Sequence, residues 1–164
     1  MPTFKDALRK RIAAEKHLDN REFADAILQA QGCAEFSVKD FFRVLGVAYA
    51  PKHELKEECF RQALEKLKPK LGDKHEVKAA RDLLGKAKLA TDLLAKMRNY
   101  AYGYTPLNIP TEDLFDNWFE EFAVSAVGLA KSVNINTITL LRKVGLLRIV
   151  KVKKGKIDST VVKS

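Results

Sequence analysis

Cysteine is scarce in this 164-residue chain: Cys33 and Cys59 are the two, and neither has a His or Cys at metal-ligand spacing. A disulfide scaffold and a zinc site are therefore not expected, and a reducing compartment fits. Glycine and proline are sparse too, at eight and five, in a chain that is 46% hydrophobic and 31% charged, which excludes a collagen-like or disordered polymer. No apolar run approaches the ~20 residues that a bilayer crossing needs. The opening Met1-Pro2-Thr3-Phe4-Lys5-Asp6 lacks the apolar stretch of a secretory signal. The expectation is a protein without a membrane partner, located in the cytoplasm or on the nucleoid.

Catalytic constellations are missing as well. His17, His53 and His75 have no Cys, Ser or Asp partner at a recognisable spacing, and the scattered glycines form no phosphate loop. Glu57-Glu58 and Glu120-Glu121 are adjacent pairs whose members point to different helix faces, so neither makes a carboxylate dyad. A non-enzymatic protein with no cofactor and no metal is expected.

What is present is positive charge, and its distribution is uneven. The net charge is +9. Residues 100–124 hold no Lys or Arg against Glu112, Asp113, Asp116, Glu120 and Glu121, whereas residues 125–164 hold 9 basic groups against Asp158 alone. A concentrated basic segment suits a polyanion, because neutralised phosphates release condensed counterions.

The pattern along the chain is mainly helical. Lys5 to Lys16 places Ala7, Leu8, Ile12 and Ala13 at helical spacing, and a second helix with Phe23, Ala26, Ile27 and Ala30 is expected to end at Gly32. Ser37 is an expected N-cap for Val38 to Leu45, with Gly46 at the C′ position. His53 to Lys68 and Lys74 to Asn99 read as a long antiparallel helix hairpin. Its second member carries Val77, Ala80, Leu83, Ala87, Ala90, Leu94 and Met97 in a near-heptad seam, expected to serve a homodimer or another partner. Lys78, Arg81, Lys86, Lys88 and Lys96 line the outside, as a solvated face or a secondary phosphate face. Tyr100, Tyr102 and Tyr104 are expected to pack a connector onto the core. An acidic helix then starts at Thr111 with Leu114, Phe115, Trp118, Phe119 and Phe122 as its apolar stripe.

From Ser125 to Leu147 the spacing suggests helix, turn, helix. Ala130 is small enough to face a partner helix, Asn134 tolerates the turn, and Asn136 caps the second helix. Gly145 ends it, and Leu146 to Val152 and Ile157 to Val162 form a hairpin around Lys153-Lys154-Gly155-Lys156. This order resembles the winged helix-turn-helix DNA-binding domains of transcription regulators, over about the last 50 residues. The resemblance implies that Asn136, Thr137, Thr139, Arg142 and Lys143 face nucleic acid, and that Arg148, Lys151, Lys153, Lys154 and Lys156 neutralise phosphates from the wing. The acidic helix would repel nucleic acid from the wrong side of the wing.

The combined expectation is a helical dimerisation or partner region over 1–104 and a three-helix winged helix-turn-helix over 105–164. Its function would be non-enzymatic nucleic-acid binding, DNA favoured over RNA, in transcription regulation or as a replication or partition accessory. Two alternatives stand beside it: a helical adaptor or inhibitor acting by protein contact, and an RNA-binding accessory subunit of a ribonucleoprotein.

Overall fold

Phe4 sits in a left-handed conformation (φ 59°) just before the first helix, and its ring is fully buried. Its N–H donates to Asp40 Oδ2 at 3.1 Å, which ties the start of the chain to a helix that ends nearby. The computed structural model describes residues 4–51, 55–101, 119–153 and 156–161, with side chains as far as Arg148. Helices α1 (Lys5–Asp19), α2 (Phe23–Leu45) and α3 (Glu57–Leu67) lead through a 3-10 turn at Lys68–Lys70 into α4 (Lys74–Ala101). A fifth helix, α5 (Phe119–Lys143), precedes an antiparallel pair, β1 (Leu147–Lys153) and β2 (Lys156–Val161).

The core is one cluster drawn from all five helices, so helices on both sides of the expected division at 104/105 share it. Helix α2 is its centre. Phe41 and Phe42 are fully buried there, and Phe42 meets Phe60 of α3 edge to face at 5.1 Å. Each such ring contributes about 2–3 kcal/mol by leaving water. Small residues let α5 approach closely: Ala123, Ala126 and Ala130 on α5 are buried, as are Ala30, Cys33 and Ala34 on α2. Helix α3 packs on α4, as the hairpin pattern predicts, and the two line a shared groove with Glu57, Phe60 and Leu64 from α3 and Arg81, Leu84 and Asp92 from α4.

Two glycines end helices as their positions predict. Gly46 (φ 72°) donates to Arg43 O at 3.2 Å while Val47 donates to Phe42 O at 2.9 Å. Gly145 (φ 75°) repeats this with Arg142 O at 3.0 Å and Leu146 to Leu141 O at 2.9 Å. Both are Schellman closures, which need the left-handed residue.

Four expectations are corrected. Helix α2 is continuous through Gly32 and Ser37. At Gly32 an added Cβ would stand 2.7 Å from Lys10 Cδ, so this glycine makes room for a neighbouring side chain instead of stopping the helix. The Ser37 hydroxyl donates to Cys33 O at 2.7 Å, one turn back, and caps nothing.

Helix α5 is also continuous, through Asn134, so the helix-turn-helix is absent. The reason is visible in the buried set: Ala126, Val127, Ala130, Val133, Asn134, Thr137, Leu140 and Leu141 keep helical spacing across the expected turn. Ala130 faces α2, where its carbonyl accepts the Cys33 thiol at 3.9 Å. A hairpin does follow Gly145, but on a single long helix.

The dimerisation seam is corrected too. Ala80, Ala87, Ala90, Leu94 and Met97 are buried inside the chain, with Leu83 and Val77 half-buried at its edge. Helix α4 spends that face on α2 and α5. Finally, α5 is long and apolar enough by length and composition to cross a membrane. Its small residues raise the mean hydropathy, and nearly half of the apolar window is buried against the other helices. Tyr100 packs on Phe122 at 5.9 Å; Tyr102, Tyr104 and the helix start at Thr111, through Trp118, lie outside the described residues.

Candidate nucleic-acid interface

Two contacts place the ends of four helices together. Phe4 on Asp40 puts the start of α1 beside the end of α2. Lys143 Nζ lies 3.4 Å from Glu76 Oε1, which puts the end of α5 beside the start of α4. Strand β2 also touches α1. One end of the bundle therefore gathers the hairpin with four helix termini.

That end is basic. Lys70, Lys74, Lys78, Arg142 and Arg148 are exposed there, together with Lys143. The hairpin adds Lys151, Lys153 and Lys156 to the same segment, and Lys153 pairs with Lys156 across its turn. Acidic groups at this end are largely engaged. Asp73 Oδ1 caps α4 by accepting the Glu76 N–H at 2.9 Å, and Glu76 itself accepts from Gly72 N and pairs with Lys143. Asp40 is held by Phe4 N–H and Arg43, although burial still pushes its carboxyl up from the usual range.

The opposite end is acidic. Asp19, Glu22, Asp25 and Glu121 are exposed, and Arg21 reaches Glu120 at 3.4 Å to join the α1–α2 corner to the start of α5. The expected role of Glu120 and Glu121 as neighbours of the hairpin is thus corrected. They lie a whole helix away, about 35 Å at 1.5 Å per residue. Their effect is a charge difference between the two ends of the molecule.

The expected contact residues divide accordingly. Thr139, Arg142, Lys143 and Arg148 are exposed. Asn136 is half-buried in a groove between α4 and α5 beside Lys86 and Leu93. Thr137 is turned inward, 2% exposed, with its hydroxyl bonded to Val133 O at 2.8 Å. Lys151, Lys153 and Lys156 lie on the hairpin strands, and Lys154 is outside the described residues. Lys70, Lys74 and Lys78 were not singled out for this end by the sequence, because only the Lys143–Glu76 contact brings α4's start to the hairpin.

Nucleophiles and ligands offer little here. The Cys33 thiol is buried, and that burial pushes its pKa up to about 12. His75 stands exposed in the first turn of α4. At the acidic end His17, Glu22 and Asp25 bring one ligand atom each to within 4.8 Å of one another, a proximity that the sequence spacing did not reveal. Arg98, half-buried near the end of α4, turns its Nε inward where no acceptor meets it among the described residues.

Comparison with known families bears on this geometry. The family model described as HEPN domain matches residues 3–133. HEPN is an all-helical domain with nuclease, adaptor and RNA-binding roles. The match runs across the expected division at 104/105 and overturns the winged helix-turn-helix resemblance, whose first two helices fall inside it. No curated protein and no solved structure matches the chain.

Proposed function

Because the chain belongs to the HEPN domain family, we propose that it is an RNA-binding accessory protein of a ribonucleoprotein, which holds RNA on its basic end without cleaving it. The observation that carries this reading is the Lys143–Glu76 contact. It brings cations of the 3-10 turn, α4 and α5 to one end of the bundle, beside the hairpin strands, where separately each would be an ordinary solvated group. RNA is preferred to DNA because the family's roles are RNA-related and because no helix among the described residues is presented as a separate reading unit. The surface is an open end of the bundle and not a cleft, which suits backbone contact more than base readout.

Binding to single-stranded and duplex RNA, and to DNA of the same sequence, is measured across a salt series. The expected result is RNA affinity that falls with salt, with a slope of about −0.7 per phosphate contact for single strands. The substitutions Lys74→Glu, Lys78→Glu, Arg142→Glu and Arg148→Glu each weaken binding about three- to tenfold, from one lost phosphate contact at roughly 1 kcal/mol. Lys16→Glu, at the acidic end, leaves it unchanged. Salt-insensitive binding, or equal loss from both ends, overturns the reading. Cleavage of the bound RNA overturns its non-catalytic part, and Lys154, Thr139 and Asn136 are tested in the same series.

A further inference from the structure

At the acidic end, three side chains able to ligate a metal converge on the corner between α1 and α2. His17 comes from the last turn of α1, Glu22 stands at the N-cap of α2, and Asp25 follows in the first turn of α2. Their ligand atoms, one ring nitrogen and two carboxylate oxygens, all lie within 4.8 Å of one another. Backbone hydrogen bonds fix the corner that brings them together. Glu22 N–H donates to His17 O at 2.8 Å and Arg21 N–H to Leu18 O at 3.1 Å, a Schellman closure with Arg21 in the left-handed position (φ 61°). Ala26 N–H then donates to Glu22 O at 2.9 Å and opens α2. Arg21 stands between the ligands in sequence, and its guanidinium reaches Glu120 at 3.4 Å and lies over the Phe23 ring at 5.2 Å.

We infer that His17, Glu22 and Asp25 form a binding site for a divalent transition-metal ion of the zinc type. Imidazole nitrogen and carboxylate oxygen are both zinc donors, whereas Mg²⁺ and Ca²⁺ take oxygen ligands. The imidazole therefore sets this cluster apart from a purely acidic one. Its geometry agrees. His17 Nδ1 stands 3.4 Å from Glu22 Oε1, which is long for an N–H···O hydrogen bond, whose usual length is about 2.9 Å. It matches the edge of a zinc tetrahedron. Two ligands bonded at about 2.05 Å stand about 3.35 Å apart at the tetrahedral angle, and only about 2.9 Å apart as neighbours in an octahedron. A small rotation of the Asp25 carboxylate supplies the third vertex, and the fourth is left to water. Asp19 and Glu121, exposed at the same end, add a negative field that favours approach of a cation.

Ligation ties the last turn of α1 to the first turn of α2. Because backbone bonds already hold His17 and Glu22 side by side, the ion loses little free energy to ordering its ligands. It stabilises the folded chain by mass action, since the arrangement of the three ligands exists only when the corner is folded. Arg21 and Glu120 connect the same corner to the start of α5, so the ion steadies a junction of three helices. The site stands at the end of the bundle opposite the basic one and owes nothing to RNA.

Calorimetric titration of the metal-free, full-length chain with zinc chloride tests this in the absence of RNA, so its outcome is separate from that of the binding series. The wild-type chain is expected to bind one Zn²⁺ in preference to Mg²⁺, and to melt about 5–10 °C higher at a hundredfold excess of zinc over Kd. His17→Gln, Glu22→Gln and Asp25→Asn each weaken binding about tenfold or more, because losing a ligand costs at least as much as losing the hydrogen bond that orients one. His75→Gln, on an exposed imidazole of α4, leaves binding unchanged. Melting of the metal-free variants shows that each is folded. Co²⁺ bound to the wild type reads the geometry without any substitution: the strong visible absorption of a tetrahedral site, abolished by added Zn²⁺, is the expected signature. No zinc binding by the wild type overturns the proposal, as does binding that survives His17→Gln, binding lost equally in His75→Gln, or the weak absorption of octahedral Co²⁺.

Discussion

Asn134 Nδ2 donates to Ser37 Oγ at 3.0 Å in the middle of the α2–α5 contact, with both side chains almost wholly buried. Arg11 Nη1 donates to the same asparagine's Oδ1 at 3.4 Å, so three helices meet on one amide. A polar residue inside a helix contact is tolerable only when its groups are satisfied, and here they are.

Replacing that residue distinguishes a core asparagine from a turn asparagine. Asn134→Ala removes the donor to the buried Ser37 hydroxyl and one acceptor of the half-buried Arg11, and is expected to cost about 1–3 kcal/mol in chemical denaturation. Asn134→Gly should cost about 1 kcal/mol more, because glycine weakens a helix interior. A tight turn would show the reverse, with glycine neutral or better.

Gly32 and Gly46 are expected to respond oppositely to alanine. At Gly32 the obstructing atoms are the far end of the flexible Lys10 side chain, which moves at the expense of its contact with the Phe36 ring at 5.3 Å. The helix gains about 1 kcal/mol from alanine and loses roughly half of that with the cation–π contact, a net stabilisation. Gly46→Ala forces a Cβ into the left-handed region at φ 72° and costs about 1 kcal/mol. Urea midpoints of the two variants check both signs.

Asp40 sets a pH dependence. Burial raises its pKa above 3.8 despite the Phe4 N–H and Arg43, so the folded state binds the proton more tightly than the unfolded one. Its contribution is therefore fully favourable below the unfolded value and is lost as pH rises through the raised one. The stability of the wild type relative to Asp40→Asn is expected to increase on acidification through that window. A difference that is flat, or that falls towards acid, contradicts the assignment.

Cys33 should be inert while the protein is folded. Its thiol is buried, pushed up to about 12, and donates to Ala130 O, whereas the reactive species is the thiolate. A disulfide reagent at neutral pH is expected to modify it only at the rate at which α2 and α5 separate, and to modify it rapidly in denaturant. Prompt modification of the native chain would show that the contact opens readily.

Local signals carried much of the secondary structure. Gly46 and Gly145 end helices where they stand, because a left-handed C′ residue is a demand on one position. The seam from Val77 to Met97 was legible as a buried helix face, and the hairpin after Gly145 as two β-branched runs with a lysine-rich turn. Gly32, Ser37 and Asn134 were misread for a shared reason. Each is a residue type that breaks or caps helices when isolated, and each is held in a helix interior by a neighbour distant in sequence: Lys10 beside Gly32, Asn134 on Ser37, Arg11 on Asn134.

The amino-acid sequence by itself determined that the chain is mainly helical, that its positive charge lies late, and which face of α4 is apolar, since these follow from periodicity and composition. Tertiary structure decided what the apolar face of α4 covers, that α5 runs unbroken through Asn134, and which lysines share a surface. Those outcomes depend on contacts such as Lys143 with Glu76, whose partners are brought together only when the bundle closes and its buried polar groups must find one another.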